Sequence, residues 1–92
     1  MIARISTEGQ YRLEDAAAER LNELDNSVVE AVASGDEAAF TERFNAMLDH
    51  VRREGHPLAD DELEESDVIL PPPDISILEA STEFTGEGLI PD

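Results

Sequence analysis

Two histidines and a large excess of carboxylates are the side chains in this sequence whose types could support acid–base or metal chemistry. The 92-residue chain has no cysteine, which excludes disulfides, thiolate metal sites and cysteine nucleophiles. His50 falls on a predicted helix and His56 in the loop that follows it. A metal site would need Asp49 or Glu54 in addition. Two histidines without a tight ligand repeat favour solvent-exposed or helix-end residues, so no metal or cofactor is expected.

The acidic run at residues 60–67 has the charge of a calcium loop but not its pattern. A twelve-residue calcium loop needs glycine at its sixth position and glutamate at its twelfth. Counted from Asp60, these positions hold Glu65 and Pro71. The turn at residues 7–10 is no phosphate loop either, because it carries a carboxylate and the sequence has no lysine. The run is therefore predicted to be a solvated acidic connector.

The charge balance indicates the salt conditions to which this protein is adapted more than it indicates a function. Twenty-three acidic residues against six basic ones give a net charge of -17, which argues against binding to nucleic acid. All six basic residues are arginine, although about five lysines would be usual at this length. An acidic, lysine-free but patterned chain indicates adaptation to high salt, where surface repulsion is screened. The alternative is an acidic interaction domain without such adaptation.

The segments that would position these side chains begin with a β-hairpin over residues 1–13. Gly9 lies where a three-residue hairpin loop needs a positive φ. Two helices follow over residues 16–33 and 37–53, and the short gap between them predicts an antiparallel helical hairpin. The expected helix caps are Asp15, Gly35 and Asp36.

Shorter elements complete an α+β fold. Residues 67–70 are predicted to be a third short strand that adds to the hairpin, since a two-stranded ribbon alone is marginal in water. The three prolines at 71–73 favour an extended segment. Ser76 and Glu79 form a potential capping box at the start of a short C-terminal helix that reaches Phe84.

Two apolar stripes at helical spacing are predicted to form the core with residues of the hairpin. The first stripe consists of Leu21, Leu24, Val28 and Val32, and the second of Phe40, Phe44, Met47, Leu48 and Val51. Ile5, Tyr11 and Leu13 would complete the core from the hairpin. The apolar residues expected to stay exposed, and therefore available to a partner, are Val29, Leu58, Ile77, Leu89 and Ile90.

The chain is expected to be one domain over residues 1–92, with an acidic, proline-containing and less compact part at residues 57–92. That part holds eleven acidic residues, no basic residue and four of the five prolines. No apolar run approaches the roughly 18 residues that cross a bilayer, and the N-terminus has no signal-peptide core. The sequence thus indicates a soluble, cytoplasmic protein, for which a homo-oligomer is possible.

Four segments in order resemble a known family. They are MIARISTEGQYRL, ERLNELDNSVVEAVASGDEAAF, DDELEESDVILPPPD and GEGLIPD. Together they are similar to the PspA-associated protein family, PspAA, small companions of the membrane-stress protein PspA (phage shock protein A) in archaea and actinobacteria. The resemblance covers nearly the whole chain and departs most at residues 75–85. With the salt-adapted composition, it indicates a haloarchaeal member.

The resemblance implies a non-enzymatic partner or modulator of a PspA-type coiled-coil protein, recruited to the inner face of the membrane only through that partner. It supplies no catalytic residues. The residues proposed to bind the partner are Arg43, Arg52, Arg53, Leu89 and Ile90. A small regulatory or accessory subunit of an unrelated cytosolic enzyme is the alternative.

The net charge predicts a fold that depends on salt. Seventeen net negative charges on a small surface repel one another, and the Debye length of about 3 Å near 1 M salt removes that repulsion. Circular dichroism melts across a salt series should therefore show a melting temperature that falls as salt is removed. The same melting temperature in dilute buffer and at about 2 M salt would contradict adaptation to high salt.

Overall fold

The structure, a computed structural model, describes residues 1–62 and 64–84, which form a four-stranded sheet and three helices. In chain order the elements are β1 Ile2–Ile5, β2 Gly9–Arg12, α1 Asp15–Ser34, α2 Glu37–Glu54, β3 His56–Pro57, β4 Val68–Leu70 and α3 Ile77–Glu83. A 3-10 turn lies at Asp60–Glu62. The strand order is β3-β2-β1-β4. The predicted α+β class, hairpin, helical hairpin, added strand and short C-terminal helix are confirmed.

The hairpin turns over residues 6–8, and the glycine that the sequence indicated directly follows this turn as the first residue of β2. β1 and β2 are antiparallel, with Ile5 opposite Gly9. The amide of Glu8 donates to the carbonyl of Ile5 at 2.9 Å. Gly9 has a φ of 125°, a conformation that residues with a Cβ atom rarely adopt. The backbone directly after the three-residue loop therefore favours glycine.

The predicted third strand, now β4, adds to β1 in parallel. Ala3 lies opposite Val68 and Ile5 opposite Leu70. The amide of Ser6 donates to Leu70 at 3.0 Å, beyond the end of β1. Parallel neighbours need a long connection, and here the chain between β1 and β4 contains β2, both long helices, β3 and the acidic segment.

β3 is an element that sequence analysis missed. It has two residues, His56 and Pro57, which pair with Arg12 and Tyr11 of β2. A strand this short has no hydrophobic alternation to detect, and proline is tolerated there because β3 is an edge strand. Gly55 makes the approach possible, since a Cβ atom at that position would lie 2.7 Å from the Cβ of Tyr11.

Of the four helix caps predicted from the sequence, three are confirmed. Gly35 ends α1 with a φ of 72°, and the Asp36 side chain accepts from the amide of Ala39 at 3.0 Å. The capping box of α3 is present. The prediction for Asp15 is wrong: Glu14 is the N-cap residue, without a side-chain cap, and Asp15 is the first helical residue. Its carboxylate still suits the positive end of the helix dipole.

The core lies between the helices and one face of the sheet. Ala3, Ile5, Val68 and Leu70 contribute from the strands. The ring of Phe84, at the C-terminal end of α3, meets Phe44 edge-on at 5.9 Å, and Phe40 stacks on Phe44 at 5.4 Å. These contacts fasten the C-terminal helix to α2. Of the predicted stripes, Leu24 and Val32 are half-buried at the margin of the core, and the other members are buried.

The segment from 57 to 84 contributes buried side chains at β4 and α3, and the prediction that 57–92 is a less compact part of one domain stays a prediction. The proline segment bends where it was predicted to be extended. The amide of Ile75 donates to the carbonyl of Pro72 at 3.3 Å, and this turn redirects the chain from the sheet edge into α3.

The substitution Gly55→Ala is expected to destabilise the fold by a steric clash. The new Cβ atom would lie 2.5 Å from the carbonyl oxygen of Val51, and relief of such overpacking costs about 2 kcal/mol or more. Gly35→Ala is the control, because nothing lies within 4 Å of its Cβ position and only backbone strain of about 1 kcal/mol is expected. Urea unfolding measures both, and equal losses would contradict the clash.

Candidate partner-binding surface

An apolar groove lies between the edge of the sheet and the C-terminal helix. Its volume is about 770 Å³. One wall contains Ser6, Ile69 and Pro71 from the ends of β1 and β4, and the other contains Ile75, Leu78 and Thr82 from α3 and the residues before it. We call this surface the β4–α3 groove.

The two walls arise from strand and helix periodicity. In β4, Val68 and Leu70 point into the core, so Ile69 between them faces the opposite side of the sheet and is 59% exposed. On α3, Ala80 is buried while Leu78 is 80% exposed. Among the described residues, Ile69 and Leu78 are the two large hydrophobic side chains that are mostly exposed to solvent. Their position in one groove distinguishes them from the scattered apolar residues of an ordinary surface.

The apolar residues that were expected to be exposed and that the structure describes lie outside this groove. Val29, Leu58 and Ile77 are half-buried, so the expectation that they remain exposed is wrong for these three. Leu89 and Ile90 lie outside the described residues. A signal for Ile69 was available, because a strand of three apolar residues at a sheet edge buries its first and third and exposes its second.

The three arginines proposed to bind a partner do not form one surface. Arg43 donates to the carbonyl of Ser27 at 2.9 Å and approaches Glu30 at 3.7 Å, so it joins α2 to α1. Arg52 lies half a helical turn around α2 from Arg43, and Arg53 is exposed without an ion pair inside residues 1–62 and 64–84. Their role in binding stays a prediction.

Arg52 fastens the hairpin loop to the end of α2. Its guanidinium binds the carboxylate of Glu8 through two nitrogens and donates to Asp49 at 2.9 Å. The Asp49 contact lies within the helix, between residues three positions apart. The hydrogen bond from Arg52 lowers the pKa of Glu8 below its ordinary value, and the Glu8 carboxylate raises the pKa of Arg52. Both charges therefore persist at neutral pH.

The two histidines occupy different environments. His50 is buried, and its Nε2 lies 2.8 Å from the carbonyl oxygen of Ala17, so of the two expected environments, solvent-exposed and helix-end, the first is wrong and His50 lies near the C-terminal end of α2. His56 is exposed, as predicted. Within the part of the chain that the structure describes, no group of three or more histidine or acidic side chains could hold a metal ion.

Gln10 is a buried polar residue whose role sequence analysis missed. Its Nε2 donates to Ser66 Oγ at 2.8 Å and also to the carbonyl of Glu64. Next to it, Arg12 pairs with the Glu64 carboxylate at 2.6 Å. The connector's acidic residues at 61, 62, 64, 65 and 67 are exposed, while the carbonyl of Glu64 and the hydroxyl of Ser66 are held against the outer face of the sheet.

These features describe a small fold with an apolar groove and arginines that mostly serve internal contacts. The family model described as PspAA, PspA-Associated protein, matches residues 1–92. The chain belongs to the PspA-associated protein family. No curated protein and no solved structure is significantly similar to this family member. No helix within residues 1–62 and 64–84 is long and apolar enough to cross a membrane.

Replacement of Glu8 by glutamine should remove a stabilising ion pair in a pH-dependent way. Because the folded state lowers the pKa of Glu8 from 4.5, its contribution is complete above that value and disappears as the pH falls through the lowered pKa. At pH 7 we expect a loss below about 1 kcal/mol, since the pair is partly solvated.

Glu42→Gln is the matched control, because it makes the same change of net charge at an exposed position. Urea midpoints at neutral pH and at about pH 3 measure both variants. A deficit of Glu8→Gln relative to this control that persists at acid pH would contradict the assignment.

Proposed function

We propose that this protein is a non-enzymatic partner that modulates a PspA-type coiled-coil protein. The match to the PspA-associated family along residues 1–92 carries the proposal. The name of the family suggests an accessory role with PspA. We propose in addition that this protein binds PspA directly and that binding changes the activity of PspA.

The chemistry of the groove supports binding rather than catalysis. Ser6 has the only hydroxyl on its strand wall, and it donates to the carbonyl of Leu70 at 2.9 Å. The Glu79 carboxylate accepts from the amide and hydroxyl of Ser76 in the capping box. Polar groups beside the apolar side chains are thus engaged in holding the fold, and the exposed apolar surface is suited to contact with another protein.

The charge of the chain supports recruitment to a membrane through the partner. A net charge of -17 is repelled by anionic lipid headgroups, whose surface potential is about -30 mV. A cytoplasmic protein of this charge would reach the inner face of the membrane when bound to a protein that itself binds lipid.

The proposal predicts that the purified protein binds the PspA-type protein of its own organism at working salt. Isothermal titration calorimetry measures the affinity. The variant with Arg43, Arg52 and Arg53 all replaced by serine should bind more weakly, and Arg53→Ser alone should lose affinity by up to about fivefold, as expected for an exposed charge.

Arg53→Ser is the cleaner variant, because Arg43 and Arg52 hold internal contacts. Arg20→Ser is its matched control, since Arg20 is also exposed on a helix and, in the described part of the chain, its one ion pair is with Glu23 one turn away. Undiminished binding by the triple variant would remove the arginines from the proposal. Absence of binding by the wild-type protein would overturn the proposal itself.

A further inference from the structure

We propose that the β4–α3 groove binds one amphipathic helix of the partner, with an apolar side chain between Ile69 and Leu78 and a carboxylate on Arg4. This inference rests on the proposed function and adds to it the surface and the kind of segment recognised. It rests on exposure, backbone geometry and charge around the groove.

The exposure of Leu78 and Ile69 provides the apolar contact. Leu78 is 80% exposed although its helix is fastened to the core through Phe84, so the helix can present it without moving. Ile69 faces the groove, whereas Val68 and Leu70, which flank it in β4, are buried. Two rigid elements therefore hold the apolar side chains apart at a fixed spacing, which is a preorganised site for a third side chain.

The backbone favours a helix over an added strand as the occupant. β4 has three residues, and Pro71 and Pro72 follow it directly. Proline has no amide hydrogen to donate, so a strand added along this edge could not extend beyond β4. The opposite wall presents Leu78 and Thr82 one helical turn apart on α3, with Ile75 just before the helix, and such an i, i+4 row packs against another helix.

Charge around the groove selects an acidic group on that helix. The carboxylate of Glu79 is held in the capping box, and that of Asp67 accepts from the amide of Ile2 at 2.7 Å. Arg4 lies directly opposite Ile69 in the parallel ladder and is exposed. Within residues 1–62 and 64–84 it has no ion pair. A carboxylate on the partner helix, close to the apolar side chain that lies between Ile69 and Leu78, would form an ion pair with Arg4.

A second copy of the chain fits the groove less well than a partner helix. Each copy carries a net charge of -17, so self-association brings two strongly like-charged surfaces together. Among the described residues the three helices already use their apolar faces in the core, apart from the face of α3 that forms the groove. The occupant is therefore assigned to the partner.

Calorimetric titration of the full-length PspA-type protein from the same organism tests the inference with three variants. Leu78→Glu should weaken binding by at least about tenfold, as for a central apolar contact. Ile69→Ser should weaken it in the same direction, and Arg4→Glu by about threefold to tenfold, with a smaller dependence on salt than the wild type. All three positions are exposed, so the variants should keep the wild-type circular dichroism spectrum.

The controls introduce the same charge changes away from the groove. Asn22→Glu matches the added negative charge of Leu78→Glu on an exposed position of α1, and Arg20→Glu matches Arg4→Glu on the same helix. Both are expected to bind like the wild type. Loss of binding in the groove variants with retention in the controls supports the inference.

The other outcomes overturn it in distinguishable ways. If the wild type binds and the groove variants bind equally well, the groove is not the site while the proposed function stands. If the wild type does not bind, both fall together. If sedimentation shows that the wild type alone is a dimer and Leu78→Glu a monomer, the occupant is a second copy and the assignment to a partner helix is wrong.

Discussion

The parallel ladder between β1 and β4 is the constraint on which the rest of the molecule depends. It returns the chain to its first strand after both long helices have been placed, and it fixes where α3 starts. With Leu70 opposite Ile5, the proline turn must leave the sheet at one edge, and Phe84 then reaches the phenylalanines of α2. The groove is a by-product of this path, because strand and helix approach each other without a side chain to fill the space between their outer faces.

Arginine supplies the cationic contacts between elements in a chain that is otherwise acidic. Arg43 joins the two long helices, Arg52 joins α2 to the hairpin loop, and Arg12 joins β2 to the acidic connector. A planar guanidinium can serve two acceptors at once, as Arg52 does with Glu8 and Asp49. Few cations can therefore secure several elements, and most of the negative charge is left in solvent.

Local signals in the sequence predicted most of the fold. Gly9, Gly35 and Asp36 fixed the turn and helix ends, since each acts through its own backbone or the next few residues. Such local signals could not predict contacts between residues that are far apart in the sequence. The acceptor of His50 is a carbonyl on the other helix, and Gln10 is buried by a connector more than fifty positions away. The groove depends on both the register of β4 and the orientation of α3, so Ile69 and Leu78 were not among the residues expected to be exposed.

The separation between β1 and β4 along the chain also determines how this protein emerges during synthesis. The amide of Ile2 and the carboxylate that receives it are 65 residues apart. At about 5–20 residues per second, β1 waits roughly 3 to 13 s before its parallel neighbour has been made. During that interval one edge of the hairpin exposes its amides and carbonyls to any extended segment nearby. Arg4 is the only charged residue of β1, and it opposes such pairing until the sheet closes.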